Sequence, residues 1–148
     1  MVPVTAKALY DQDFFEWTRC NAALLRAGRF DQADVEHIAE EIKDMGKSEG
    51  LELESRVSVL LMHLLKWQIQ RDRRGRSWRA TIDVQRIRLR RLLRKMPSLK
   101  RYLVEGLSET YELAVKSAIA ETDLPDEAFA ADCPFTIDQI LDENFFPE

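Results

Sequence analysis

Arg56 and His63 are a pair of residues whose types and spacing could do chemistry together. They lie seven positions apart in the segment RVSVLLMH, so on an α-helix their side chains point within about 20° of one another. An imidazole can act as a general acid or base, and a guanidinium can hold a phosphate. The pair is therefore a candidate site for acid–base chemistry on a phosphate group. The alternative is that His63 is a core histidine paired to a backbone carbonyl or to a carboxylate on a neighbouring helix.

A metal site built on His37 is a second option. In the segment DVEHIAEEIKDMG, helical spacing puts an imidazole and three carboxylates on one face: His37, Glu40, Glu41 and Asp44. The opposite face carries an apolar stripe: Val35, Ile38, Ala39, Ile42 and Met45. Helical bundles hold zinc, iron or manganese with such sets, and His63 could complete a site with His37 and Glu41. The alternative is an acidic face that meets water or pairs with a basic helix.

A run of arginines follows the His63 segment. Five of them fall within nine positions: Arg71, Arg73, Arg74, Arg76 and Arg79. Guanidinium groups at this density predict a surface for phosphates or for an acidic partner. Trp67 and Trp78 flank the run and could stack on RNA bases.

The charges of the chain are divided unevenly along its length. Residues 1–65 carry seven basic and twelve acidic side chains, residues 66–101 carry fourteen and two, and residues 102–148 carry one and twelve. The central block could bind nucleic acid, or it could pair with the acidic helices of the same chain. We favour the pairing, because a nucleic-acid binder usually has a basic overall balance and this chain has a net charge of −4.

Length and composition are those of one globular domain. With 148 residues, 45% of them apolar and 32% charged, the chain can bury a core, and we expect a single helical domain over residues 1–148. The longest apolar run, Val57–Leu65, is far shorter than the ~20 residues that span a bilayer, so we expect no membrane segment. No signal peptide is evident, and Cys20 and Cys133 form no CxxC pair. These features indicate a cytoplasmic protein with free thiols.

The elements that would position these residues are helices. Apolar residues recur every three or four positions without hairpin signals, which predicts an all-α bundle of four to five main helices plus a short C-terminal helix. The first three predicted helices run over about Asp13–Ala27, Asp34–Met45 and Leu51–Arg71. The fourth begins at a Ser77 cap and ends at Pro97, and the fifth begins at a Ser98 cap and ends at the DLPDE turn. The short C-terminal helix begins at a Thr136 capping box. Gly28 predicts a left-handed stop after the first helix. The segment GKSEG predicts a kink or a break between the second and third helices.

Helical spacing also predicts which side chains are buried. The third helix is apolar nearly all round, so it should lie in the middle of the core. On the first helix, Phe14, Trp17, Asn21 and Leu24 or their neighbours are expected to be buried. Phe145 and Phe146 of the tail should dock into a groove. On the fourth helix, Trp78, Ile82, Leu89, Leu92, Leu93 and Met96 should face inward, while Arg86, Arg90 and Arg94 line one flank.

The chain resembles a bacterial domain-of-unknown-function family, numbered twenty-nine and common in cyanobacteria. The similar segments are YDQDFFEWTRCNAALLRAGRFDQADVEHIAEEIKDMGKSE, LLMHLLKWQIQ, RSWRATI, MPSL and CPFTIDQILDENFFPE. The resemblance extends from about Leu9 to Pro147 and implies a helical fold and a bacterial origin, but it transfers no catalytic residue. The segment QRDRRGRSW departs from the family, which often has a proline after the glutamine.

A shorter likeness concerns Arg56 and His63. Their spacing is similar to that of helical ribonucleases of the higher-eukaryote-and-prokaryote nucleotide-binding superfamily. This chain departs from that pattern at Val57, where those enzymes usually have a polar residue.

Two classes of function follow from these residues. The first is a small cytoplasmic interaction module whose basic centre contacts an acidic protein partner or a second copy of the chain. The second is an RNA-cleaving bundle with Arg56 and His63, or a metal-binding bundle with His37, Glu41 and His63. RNA is a candidate partner in the second class, and a divalent metal is the one cofactor considered.

Overall fold

The computed structural model describes residues 5–148, which form helices joined by loops. The α-helices of this range are α1 (Ala6–Gln12), α2 (Phe14–Arg26), α3 (Val35–Ile69), α4 (Arg76–Lys95), α5 (Leu99–Thr122) and α6 (Ile137–Leu141). Two short 3₁₀ turns, Arg71–Arg73 and Asp126–Ala128, lie in the loops before α4 and α6. None of these helices combines the length and the apolar character that a membrane crossing requires. The predicted all-α class is confirmed.

The chain is divided into two compact units, with the boundary after Ser48. The first unit contains α1, α2 and the beginning of α3. The second unit, Glu49–Glu148, contains the remainder of α3 together with α4, α5 and α6. A single domain over the whole chain stays a prediction.

Helix α1, in the first unit, is absent from the predicted helices. The sequence feature that indicates this helix is its N-cap, Thr5. The Thr5 hydroxyl accepts a hydrogen bond from the backbone N–H of Ala8 at 3.1 Å. The adjoining Asp13 caps α2 in the same way. The end of α2 is followed by Gly28, whose φ of 72° is the left-handed turn that the sequence predicts.

The aromatic residues of α2 divide between the interior and the surface. Trp17 is buried, as predicted. Phe14 is 48% exposed, so the prediction that it is buried is wrong. Its ring lies beside those of Tyr10 and Trp17, with centroids 5.8 and 5.4 Å away, and this cluster leaves one side of Phe14 in solvent.

Helix α3 is continuous from Val35 to Ile69, so the predicted break at GKSEG is wrong. Gly50 shows why a glycine is present without ending the helix. It is buried, and a Cβ atom at this position would lie 3.0 Å from Cζ of Tyr102 on α5. Gly50 therefore gives the Tyr102 ring room against α3. Gly46 is exposed, and a Cβ there would have no neighbour within 4 Å.

The core of the second unit is centred on α3, as the apolar run predicts. Six aliphatic side chains of α3 are at most 1% exposed: Leu53, Val57, Leu60, Leu61, Leu64 and Leu65. They pack with Ile82 and Leu89 of α4 and with Leu103, Tyr111, Ala114 and Ala118 of α5. Because burial of one leucine stabilises a fold by about 1.5–3 kcal/mol, this cluster is the main apolar support of the unit.

Helix α4 begins at Arg76, and its N-cap is Gly75, so Ser77 is not the cap that the sequence predicts. The predicted capping box at the start of α6 is confirmed. The Thr136 hydroxyl accepts from the N–H of Gln139 at 3.1 Å, and the Gln139 side chain accepts from the N–H of Thr136 at 3.0 Å.

The segment after α6 folds back onto the second unit, which confirms the predicted docking of both phenylalanines. Phe145 packs edge-on against Phe135, with ring centroids 5.8 Å apart. Phe146 lies 5.1 Å from the ring of Trp67. The tail therefore belongs to the apolar structure of this unit.

Candidate functional site

His37 is held at the start of α3 by a buried carboxylate. Its Nδ1 lies 2.6 Å from Oδ2 of Asp34, and the same oxygen accepts a hydrogen bond from the indole N–H of Trp17 at 3.0 Å. The Asn21 side chain accepts from the backbone N–H of Asp34 at 2.8 Å. Burial by itself would raise the pKa of Asp34, but the hydrogen bonds donated by Trp17 and His37 outweigh it and lower that pKa.

Tyr10 of α1 covers the His37 ring. The two rings are stacked with centroids 3.8 Å apart, and the Tyr10 hydroxyl donates to Oε1 of Glu41 at 2.5 Å. This hydrogen bond, with burial and the nearby carboxylates, raises the pKa of Tyr10 to about 12. The face of α3 with His37 and Glu41 is therefore turned toward α1. On the same face, Glu40 and Asp44 are exposed to solvent. The apolar stripe of α3 also carries three exposed side chains, Val35, Ile42 and Met45.

The predicted metal ligands are divided between the two units. His37 and Glu41 belong to the first unit, where their partners are Asp34 and Tyr10, and His63 belongs to the second. Between Thr5 and Glu148, no three His, Cys, Asp or Glu side chains are grouped as ligands for a metal ion. The metal site stays a prediction from the sequence.

His63 has the environment of a core histidine. Its Nδ1 lies 2.9 Å from the carbonyl oxygen of Val59, one turn earlier on α3. Burial is the main cause that lowers the pKa of His63, and the ammonium of Lys66 acts in the same direction. The structure therefore contains the backbone-paired histidine that was the alternative to a catalytic one.

Arg56, the other member of the predicted catalytic pair, has partners of its own. Its Nε and Nη2 donate to Oε1 of Glu52 at 3.1 and 2.9 Å, and its Nη1 donates to Oε1 of Gln85 at 3.5 Å. None of these groups also bonds to His63. The RNA-cleaving pair stays a prediction, and Arg56 instead lies at a cleft between α3 and α4.

Lys66 is a buried cation that the sequence interpretation missed. Its side chain is 8% exposed, and its Nζ lies 2.6 Å from Oε2 of Glu121 on α5. The same ammonium lies 4.6 Å from the centroid of the Trp78 ring. The hydrogen bond from Lys66 lowers the pKa of Glu121. Lys66 thus joins α3 to α4 and α5.

Both tryptophans that were candidates for stacking on RNA bases already have partners in the second unit. The ring of Trp78 carries the Lys66 ammonium. Trp67 packs against Phe146, and the guanidinium of Arg74 lies 5.2 Å from its centroid. These contacts leave less aromatic surface for a base than the sequence predicts.

The five arginines of the predicted phosphate surface divide into one structural residue and four exposed ones. Arg74 donates from Nε to the carbonyl of Trp67 at 2.7 Å and from Nη2 to the carbonyl of Pro147 at 3.1 Å, so it fastens the tail. The exposed members are Arg71, Arg73, Arg76 and Arg79. Within residues 5–148, no carboxylate lies within 4.0 Å of these four.

The basic block as a whole is mostly unpaired. Of its fourteen cations, those within 4.0 Å of a carboxylate in the described part of the chain are Lys66, Arg90 and Arg101. The partner of Arg101 is Glu105 on its own helix, whereas Lys66 and Arg90 reach other elements. Within the second unit, Lys66 pairs with an acidic helix, because Glu121 lies on α5, whereas Arg90 pairs with Glu143 in the loop after α6. Most of the other cations of the block have no carboxylate of this unit within 4.0 Å.

Helix α4 carries the densest part of this unpaired charge. It has eight basic residues and one acidic residue. Helical spacing puts two exposed aliphatic residues, Val84 at 43% and Ile87 at 50%, on the same outward side as three exposed cations. We define the basic face of α4 by Val84, Ile87, Arg88, Arg91 and Lys95.

The basic face adjoins a cleft of about 360 Å³ between α3 and α4. Its lining includes four cations, Arg56, Arg88, Arg91 and Lys95, two carboxylates, Glu49 and Glu52, and the side chains of Leu92 and Met96. Because the cations outnumber the carboxylates and apolar atoms complete the wall, the cleft suits an anionic group on an apolar stem.

Fold and surfaces together define a small all-α protein whose most prominent exposed chemistry is a basic helix face. The model of the family described as "Domain of unknown function DUF29" matches residues 9–146, and the chain belongs to this family. The resemblance seen in the sequence is thus confirmed. Comparisons with curated proteins and with solved structures gave no match.

Proposed function

We propose that this protein is an interaction module that binds an acidic protein surface through the basic face of α4. The observation that carries the proposal is the exposure of Arg88, Arg91 and Lys95 on the same side as Val84 and Ile87, with no carboxylate of residues 5–148 within 4.0 Å of these cations. We also propose the reducing cytoplasm as its location, which suits two free cysteine thiols.

Like charges crowded on one helix favour an anionic partner. Arg88 and Arg91 lie three residues apart, so they are neighbours on the helix surface and repel one another. Carboxylates from a partner relieve this repulsion, and a guanidinium can hold a carboxylate through two parallel hydrogen bonds. The cleft beside Arg56 gives one such carboxylate a recessed position.

A protein partner suits this face better than RNA does. Val84 and Ile87 add apolar area between the cations, and apolar area contributes to protein–protein contacts. Trp67 and Trp78, which could stack on bases, are already engaged inside the unit.

The test measures binding of a fluorescent peptide in which glutamates alternate with leucines, against a polyuridine RNA. We expect the peptide to bind more tightly than the RNA, with an affinity that falls as salt is added. The double variant Arg88→Glu with Arg91→Glu should weaken peptide binding on the order of 100-fold, because like charges across an interface cost several kcal/mol.

The matched control is Lys43→Glu with Lys47→Glu. Both lysines are exposed, and this double variant changes the net charge by the same amount as the first. We expect the control to bind the peptide nearly as well as the wild type. Equal weakening by the two variants, or tighter binding of the RNA, would contradict the proposal.

A further inference from the structure

The acidic C-terminal third of the chain carries a surface that complements the basic face of α4. On α5, helical spacing puts Tyr102, Glu105, Glu109 and Leu113 on one side. Tyr102 is 47% exposed and Leu113 is 49% exposed. A cavity of about 230 Å³ lies on this side, and its lining includes Glu54 of α3 with Glu105 and Glu109. We call Glu54, Tyr102, Glu105, Glu109 and Leu113 the acidic face.

The acidic face and the basic face have equal numbers of charged side chains and of exposed side chains with apolar surface, and their charges are opposite. Each has three ionised groups beside two exposed side chains with apolar surface, which are Val84 and Ile87 on one face and Tyr102 and Leu113 on the other. Gly106 leaves the wall of the acidic cavity open, because a Cβ at this position would meet nothing within 4 Å. The cavity can therefore admit a long side chain such as that of arginine.

In residues 5–148 of a single chain, the cations of the basic face form no ion pairs with the carboxylates of the acidic face. In the described part of the chain, the α4 cation that lies within 4.0 Å of a carboxylate is Arg90, and its partner is Glu143 after α6. Glu105 pairs with Arg101 on its own helix. Glu54 and Glu109 have no cation within 4.0 Å in residues 5–148. Both faces are thus open to another molecule.

We propose that the partner is a second copy of this chain, whose basic face docks on the acidic face of the first. This inference rests on the proposed function and names the partner of the same surface. Because each copy carries both faces, two copies can exchange them reciprocally and close into a dimer. Charge complementarity brings opposite faces together and keeps like faces apart.

Sedimentation velocity of the full chain, from low micromolar to near-millimolar concentration, tests the dimer. We expect the wild type to shift toward twice the monomer mass as its concentration rises, and to return toward the monomer when salt is added. A wild type that remains monomeric throughout would overturn the inference. If such a monomer still bound the acidic peptide through Arg88 and Arg91, the proposed function would stand while the dimer failed.

Charge-reversed variants identify the two faces. Arg88→Glu with Arg91→Glu should be monomeric, and so should Glu105→Lys with Glu109→Lys. An equimolar mixture of these two variants should form a heterodimer, because the reversed faces complement one another and the unreversed faces still match. The four positions are exposed, so the core is unchanged. A mixture that stayed monomeric, or single variants that dimerised like the wild type, would place the contact elsewhere and refute the inference.

Discussion

Arg86 donates its Nε hydrogen to the carbonyl oxygen of Ile140 at 2.9 Å, so a buried cation of α4 binds the C-terminal turn of α6. Its Nη2 donates to the carbonyl of Gln139 at 3.2 Å, and Phe146 lies 5.4 Å from the guanidinium carbon. Burial lowers the pKa of Arg86. A helix of five residues leaves most of its carbonyls without intrahelical partners. Arg86 donates to the carbonyls of Ile140 and Gln139, and the Gln139 carbonyl also accepts from the N–H of Asp142 at 3.3 Å.

We therefore expect Arg86→Ala to destabilise the second unit by about 3 kcal/mol, because it removes the hydrogen bond to the carbonyl of Ile140 and opens a cavity. The control is Arg94→Ala, which removes an exposed arginine from the same helix and should change the free energy of unfolding by less than about 0.5 kcal/mol. Urea unfolding followed by circular dichroism measures both. Equal effects of the two variants would mean that Arg86 does not hold α6.

The glycines of α3 should respond differently to alanine. Gly46→Ala should raise the free energy of unfolding by about 0.5–1 kcal/mol, because alanine favours the helix and the new methyl group meets no neighbour. Gly50→Ala should be less favourable, because its Cβ would lie 3.0 Å from the Tyr102 ring. Thermal unfolding distinguishes the two. Adding Tyr102→Ala to Gly50→Ala should recover most of the difference, and no recovery would exclude this contact as the cause.

The pair of Lys66 and Glu121 should be asymmetric toward substitution. Glu121→Gln leaves the Lys66 ammonium buried without a counter-charge. It should destabilise the fold by about 2 kcal/mol, less than the roughly 3–5 kcal/mol of a fully buried pair because Glu121 is half-exposed. Lys66→Met removes the buried charge and keeps the packing on Trp78, so it should cost less than about 1.5 kcal/mol. Urea unfolding measures both variants. A larger loss of stability for Lys66→Met than for Glu121→Gln would contradict the assignment of Lys66 as the buried partner.

Asp34 should make the first unit sensitive to acid. Its pKa in the folded protein lies below the ordinary value of 3.8, so the unfolded chain binds the proton first as the pH falls. The stabilisation is fully present above that ordinary value and is lost as the pH falls through the lower, folded pKa. Asp34→Asn should weaken the unit at pH 7 and flatten this dependence. Urea unfolding across the acid range, followed by Trp17 fluorescence, measures it, and an unchanged slope in the variant would assign the acid response to another group.

Local chemistry determined much of the helical structure. The left-handed stop at Gly28 and the Thr136 capping box are confirmed, since each depends on residues within one turn. The apolar run around Leu61 lies in the core, since a helix apolar on all sides must be surrounded. Membership of the DUF29 family was also readable from the sequence.

Distant contacts decided the features that the sequence interpretation missed. Gly50 contributed to the prediction of a helix break, whereas in the structure it makes room for the ring of Tyr102 on another helix. The prediction that Arg86 lies on a flank of α4 is wrong, because it is fully buried between Ile82 and Leu89 on the inward stripe. This spacing is a usable signal of burial, but the carbonyl partners of Arg86 belong to α6.

Among the candidate functional residues, the sequence by itself determined the type of each group and its place along a helix. It predicted the basic character of α4 and the carbonyl-paired alternative for His63. Only the tertiary structure decided that Asp34 and Tyr10 enclose His37, and that Arg88 and Arg91 have no carboxylate partner in the part of the chain that the structure describes. The physical reason is that helical periodicity sets the direction of a side chain relative to its own axis, whereas its partners depend on how separate helices pack.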